Sequence, residues 1–268
     1  MSAFSLHPAS QVQLRLGACL GSEGKTDSPR PSYNARQERH DPMCGRYTLK
    51  TPVEKLARFF GLPEDPDLKP RYNIAPTQPV ATVVVLTGER RLRLMRWGLV
   101  PHWAKDLSIG SRMINARAET IAEKPAFRPA FRDRRCLIMA DGFYEWQHKC
   151  RAKQPYYIIR KDRSPFAFAG LWERWDPPEG GETVESCTII TTQANELVAE
   201  FHERMPVILD QKDFDSWLGA DVADQESRLE LLKPYPAERM DAFPVSSVVN
   251  SPGHETNECV QPLDKSWE

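Results

Sequence analysis

Apolar residues along this chain fall into short runs that switch between two periods, and the switches mark out its elements. Val53, Leu56, Phe59 and Phe60 recur at helical spacing, and Gly61 supplies the residue that closes a helix in the left-handed conformation. Residues 53–61 are therefore predicted as one short helix. A proline-punctuated stretch from 63 to 79 reads as loop. Residues 80–87 are almost continuously apolar and residues 91–97 alternate, with Gly88 between them, which predicts a hairpin of one buried and one half-buried strand. Further short strands are predicted at 136–140, 156–160, 166–171 and 186–191, and helices at 195–202 and 212–218. Many short strands, few helices and abundant proline predict an α+β fold. It is expected as a single domain on a twisted, partly closed, mostly antiparallel β-sheet with a few peripheral helices.

Composition narrows the picture. Residues 1–42 are rich in Ser, Pro, Arg, Gln and Gly and lack periodicity, so they read as a disordered extension or a leader, and residues 43–268 as the one folded domain. The six cysteines are scattered without a Cys-x-x-Cys pair, which argues against a zinc site or disulfide framework and for a reducing compartment. Neither a long apolar run nor a signal-peptide pattern is present, so a cytoplasmic protein is expected. A formal net charge of −1 excludes a general polyanion binder. Between Arg90 and Arg135, however, twelve basic side chains stand against four acidic ones, enough for a local phosphate-binding face or for a solvated charged surface.

The most chemically distinctive junction is Met43-Cys44-Gly45-Arg46-Tyr47. A cysteine exposed by methionine removal carries a thiol and an α-amine on one skeleton. Such a 1,2-aminothiol condenses with an aldehyde to a Schiff base and then to a thiazolidine ring. An α-amine of pKa about 8 is roughly ten per cent neutral at pH 7, far more than a lysine of pKa about 10.4. Taken alone, Cys44 reads first as an ordinary buried cysteine, and the rest of the chain reverses that order.

Five further segments are dense in polar and aromatic residues: Arg71 to Thr77, Arg96 to Trp103, Asn115 to Thr120, Asp141 to Trp146, and His202-Glu203-Arg204-Met205-Pro206. With the Cys44 stretch, and in this order, they resemble the SRAP family, the SOS-response-associated peptidases that process abasic sites. The resemblance runs from Met43 to about Leu263. It implies that Cys44 crosslinks to the open-chain aldehyde of an abasic site in single-stranded DNA through a thiazolidine. The protein would thereby shield the lesion in the DNA damage response, as a monomer, associated with the nucleoid when engaged.

The same resemblance assigns roles. Asn115 would hold the ring-opened sugar, its amide donating and accepting in one plane, although an asparagine there could also cap a following helix. Glu145, between Tyr144 and Trp146, is expected to have its pKa raised by an aromatic surround and to shuttle the amine's proton, or else to be a strand glutamate paired with an arginine. His202 would handle the sugar's proton. Arg46, Arg71, Arg96 and Arg117 are the expected phosphate contacts, and Pro76, Trp97 and Trp103 the expected stacking faces, with Trp103 the more readily placed in a core. No metal or cofactor is expected.

A free amine on Cys44 requires that residues 1–42, and Met43 with them, be absent, through initiation at Met43 followed by methionine removal or through autocatalytic removal. If they remain, the ring chemistry is lost. Two competing functions stand beside the crosslinker. One is a cysteine peptidase with Cys44 as nucleophile and His202 as base, and the other is a non-covalent single-stranded-DNA-binding module.

Overall fold

The computed structural model describes residues 45–149, 152–219 and 225–263. Residues 1–42 and Cys44 lie outside them. Thirteen strands occur among the described residues: β1 (Tyr47–Leu49), β2 (Arg71–Ile74), β3 (Pro79–Leu86), β4 (Glu89–Trp97), β5 (Asn115–Arg117), β6 (Arg135–Ala140), β7 (Gly142–Lys149), β8 (Ala152–Arg160), β9 (Phe166–Trp175), β10 (Val184–Gln193), β11 (Arg204–Pro206), β12 (Ile208–Leu209) and β13 (Met240–Pro244). Four short helices accompany them: α1 (Val53–Phe60), α2 (Arg128–Asp133), α3 (Phe214–Leu218) and α4 (Gln225–Glu230). The fold is α+β with mostly antiparallel strands, as the pattern predicts.

Local chemistry accounts for the best-predicted pieces. Helix α1 carries Glu54 in its first turn and Arg58 in its last, matching the helix dipole, and Gly61 at φ 64° donates its N–H to Ala57 O to close it. Strands β3 and β4 pair from Pro79↔Arg96 to Leu86↔Glu89 around Thr87 and Gly88, both at positive φ, the twist that a two-residue hairpin needs. Two expectations change. The loop at 63–79 contains β2, because Ile74 pairs with Tyr47 at the sheet edge. The helix at 195–202 shrinks to a single 3-10 turn, Val198–Glu200, with Asn195 Oδ1 accepting the Val198 N–H ahead of it.

Five strands form one sheet in the order β13-β8-β7-β1-β2. The other eight form a second sheet, in which pairings run β10-β4-β3-β6-β9 and return to β10, so this sheet is partly closed. Alternation along β7 and β8 buries both faces of the five-stranded sheet. Phe143 and Ile158 join the main core against the eight-stranded sheet, where Tyr47 lies edge-on to Trp97 and Phe168 at 5.3 and 5.6 Å. Tyr144, Tyr157 and Ile159 form a second core with Phe243, Val249 and Val260.

One backbone contact sets the approach to the site. Gly98 sits at φ 126°, and a Cβ there would lie 2.5 Å from Gly110 O, while a Cβ on Gly110 would lie 2.6 Å from Gly98 O. Leu99 N–H donates to Met113 O just beyond, so this crossing feeds directly into β5. Gly98→Ala is expected to lower unfolding free energy by about 3 kcal/mol, from strain plus clash. Chemical denaturation of both proteins measures it, and a loss under about 1 kcal/mol would mean that the crossing relaxes freely.

Candidate active site at the junction of two sheets

Strand β10 gathers much of the site. Its first half lies between β9 and β4, and its second half pairs with β5 in parallel (Ile189↔Asn115, Thr191↔Arg117) and with β11 antiparallel (Thr191↔Pro206, Gln193↔Arg204). Asn115 and Arg117 are thus carried on one edge of β10, and the His202 segment arrives along the other. Glu145 belongs to the opposite sheet, on β7. A contact between the sheets joins them: Tyr156, the cross-strand partner of Glu145, packs its ring 4.6 Å from that of Phe201, the residue before His202.

Glu145 is buried, but its aromatic surround is not the one expected. Neighbours on a strand point to opposite faces, so Tyr144 and Trp146 lie behind the sheet, in the second core. Tyr144 Oη donates to Tyr72 O, and Trp146 Nε1 donates to Asn250 Oδ1. Tyr156 supplies the aromatic neighbour on the Glu145 side. The register of β1 on β7 is equally informative. Tyr47 pairs with Phe143, and Tyr144 N–H donates to Arg46 O, so the next position, Gly45, comes opposite Glu145. The chain issuing from Cys44 therefore enters the fold beside this carboxylate.

His202 accepts the Arg204 backbone N–H at Nδ1, at 3.0 Å. A neutral imidazole with its Nδ1 lone pair engaged carries its proton on Nε2, and that nitrogen is a donor. The Arg204 side chain forks onto Glu119, Nη1 to Oε1 at 2.9 Å and Nη2 to Oε2 at 2.8 Å, and also donates to Thr191 O at 2.7 Å. The hydrogen bonds from Arg204 hold the Glu119 carboxyl below its ordinary pKa of 4.5. The sign follows: this pair stabilises the fold above pH 4.5 and loses its contribution as pH falls through the lowered value. Glu119→Gln is expected to flatten that acid limb of stability, and an unchanged limb in a urea-unfolding series across pH would assign it elsewhere.

The four expected phosphate contacts separate. Arg117 is exposed and lines a cleft of about 370 Å³ with Gln193, Ala194, Ala199, Glu203 and Arg204. Arg96 is partly exposed and donates to Thr77 O. Arg71 is held by Glu255, whose other oxygen accepts the Tyr72 and Asn73 N–H groups along the edge strand. Arg46 is half-buried, with its guanidinium donating to Asn73 Oδ1, Val249 O and Asn250 O, and burial lowers its pKa. Arg46 and Arg71 thus strap residues 249–255 across the start of β1 and β2.

The two tryptophans exchange places. Trp97 is 0 % exposed and cannot offer a stacking face in this arrangement, whereas Trp103 is 52 % exposed. The reason is strand position: Trp97 ends β4 with its ring turned into the core, and Trp103 lies beyond it in a loop. Trp97 acts instead as a support. Its Nε1 donates to Ile114 O, immediately before Asn115, and its backbone bonds Thr77 N–H and Gln78 O, fixing the turn that presents the partly exposed Pro76. Sequence reasoning passed over Glu119, Arg204, Tyr156 and Phe201. For the first two a signal existed, since opposite charges stand in two of the distinctive segments.

Taken together, these features define an α+β protein with a carboxylate on β7 of one sheet, and a carboxamide on β5 and an imidazole just before β11 on the two edges of β10 in the other, beside exposed arginine. The family model of the SOS response associated peptidases (SRAP) matches residues 43–252, and the chain belongs to this family. It is 45% identical over 224 residues to the abasic site processing protein YoqW of Bacillus subtilis, covering 82% of this chain and 99% of that one. It is 36% identical over 265 residues to the abasic site processing protein HMCES of Gallus gallus, covering 83% and 78%. Among solved structures, a Bacteroides thetaiotaomicron protein matches with a TM-score of 0.73 at 30% identity, over 82% of this chain and 99% of that one.

Proposed function

We propose that this protein processes abasic sites in DNA, and does so by crosslinking to the lesion through Cys44 as the first residue of the mature chain. Its similarity to abasic site processing proteins over four-fifths of its length supports the substrate. The observation that carries the mechanism is the register of β1, which brings Gly45 opposite Glu145. In the first step the Cys44 amine adds to the C1′ aldehyde of the ring-opened sugar and the carbinolamine loses water to give an imine. In the second, the thiolate sulfur adds to the imine carbon and the nitrogen takes up a proton, closing a thiazolidine. The sum is aminothiol plus aldehyde giving thiazolidine plus one water.

Glu145 takes the proton that the ammonium must shed and returns it to the departing hydroxyl. His202 passes its Nε2 proton to the sugar ring oxygen as C1′ opens to the aldehyde, and the proton that the C1′ hydroxyl gives up, carried by solvent water, restores it. Asn115 holds the sugar hydroxyls, Arg117 and Arg96 contact phosphates of single-stranded DNA, and Pro76 and Trp103 pack on flanking bases. The protein acts as a monomer, and crosslinking shields the lesion. The family's peptidase label supports a second reading, removal of residues 1–42 together with Met43 by Cys44 and His202. An imidazole protonated on Nε2 with Nδ1 engaged has no lone pair ready to accept a thiol proton, which weighs against that dyad.

An oligonucleotide bearing one abasic site, run on a denaturing gel with the purified protein, tests the proposal. A heat-stable shifted band with abasic DNA and none with intact DNA is expected. Intact-protein mass must correspond to a chain beginning at Cys44. A chain that retains residues 1–42 and still crosslinks would remove the α-amine from the chemistry.

A further inference from the structure

We propose that the Arg204–Glu119 fork is a positioning device that sets His202 against Asn115, so that it acts on the rate of the crosslinking reaction; this rests on the proposed function above. Arg204 touches both halves of the site at once. Its backbone N–H fixes the His202 ring through Nδ1, and its guanidinium grips Glu119, two residues beyond β5. A further donor holds Thr191 O, on the strand that pairs with both β5 and β11. Among the described residues, the strands bearing Asn115 and following His202 do not pair with each other, and β10 and this fork link them.

The placement departs from an ordinary surface ion pair. Arg204 is 8 % exposed, and its planar fork matches both carboxylate oxygens, a geometry that lysine cannot reproduce. The Glu119 side chain is 46 % exposed, so its charge does little for stability through burial, and what it supplies is direction. Glu119 is the middle residue of a one-turn 3-10 segment, Ala118–Thr120, that has no side-chain cap of its own. Without the fork, that turn loses its tie to the His202 segment, and β5 is held by its pairing with β10, the bond from Trp97 to Ile114 O and the core packing of Ala116 and Ala118. A shift of about 1 Å between Asn115 and His202 is enough to slow a reaction by about a hundredfold.

Single-turnover crosslinking at increasing concentrations of abasic oligonucleotide separates rate from binding. Arg204→Lys keeps the charge and loses the fork, and Glu119→Gln keeps the shape and loses the charge. Each is expected to lower the maximal rate by about ten- to a hundredfold, with the half-saturating DNA concentration within a few-fold of wild type. Release of the adduct should slow by the same factor, and the double variant should be no slower than the worse single one, because both remove one interaction. Losses that multiply in the double variant, half-saturation that rises while the maximal rate stays, or unchanged kinetics would each overturn the proposal. Should Arg204→Lys not fold, Glu119→Gln decides alone, since it alters a half-exposed side chain. A wild-type protein that forms no adduct defeats the crosslinking reading itself, whereas a wild-type adduct with unaffected variants defeats only the positioning role.

Discussion

Cys44→Ala is expected to abolish the heat-stable adduct with abasic DNA while leaving affinity for single-stranded DNA within a few-fold. Affinity resides in phosphate and stacking contacts, which the substitution leaves alone. The adduct needs both heteroatoms of one residue, and alanine lacks the sulfur. Cys44→Ser divides the two steps more finely. The serine amine remains about as nucleophilic, so an imine forms, but the hydroxyl closes a ring far less readily than a thiolate. Borohydride should trap the imine, and without trapping the DNA strand should break by β-elimination at the lesion. Adducts of equal stability from Ser and Cys would remove the thiazolidine from the mechanism. An alanine variant that still crosslinks would place the nucleophile elsewhere in the chain.

Glu145→Gln and His202→Ala form the second test, since each removes a proton carrier and neither contributes an atom to the adduct. Each is expected to slow crosslink formation by about 10²-fold, the lower range for a positioned acid or base. The adduct's mass and heat stability should not change. Opening of the thiazolidine passes through the same transition states in reverse, so release should slow as formation does. A peptidase built on Cys44 and His202 behaves otherwise. There His202→Ala would leave residues 1–42 attached to the full-length chain, and Glu145→Gln would have little effect. Unchanged formation and release in His202→Ala would withdraw the acid role from that imidazole. Burial of Glu145 adds a control, because glutamine preserves its volume and a drop in thermal stability can be measured alongside the rate.

Short-range rules determined much of what the sequence shows by itself. Helix spacing and Gly61 located α1, apolar continuity and Gly88 located the β3–β4 hairpin, and alternating strands with few helices set the α+β class. The chemistry of Met43-Cys44 and the polar segments were likewise legible, because a nucleophile, an imidazole and a carboxylate declare themselves by residue type. What remained hidden depends on which face a side chain takes and which distant strand it meets. Nothing near Trp97 in sequence says that its ring turns inward while Trp103 stays out; the end of β4 and the core behind it decide that. Glu145 stands between two aromatics in sequence yet keeps company with Tyr156, because pleating sends neighbours to opposite faces. Arg46 and Arg71 read as free cations until the 249–255 strap, some 200 residues away, supplies their partners. The fork between Glu119 and Arg204 spans 85 residues and forms because β10 pairs both with β11 and with β5, which leads into the Glu119 turn. Local pattern fixes an element through contacts within a few residues, whereas long-range pairing is settled by burying both faces of each sheet at once, and that condition belongs to the folded chain as a whole.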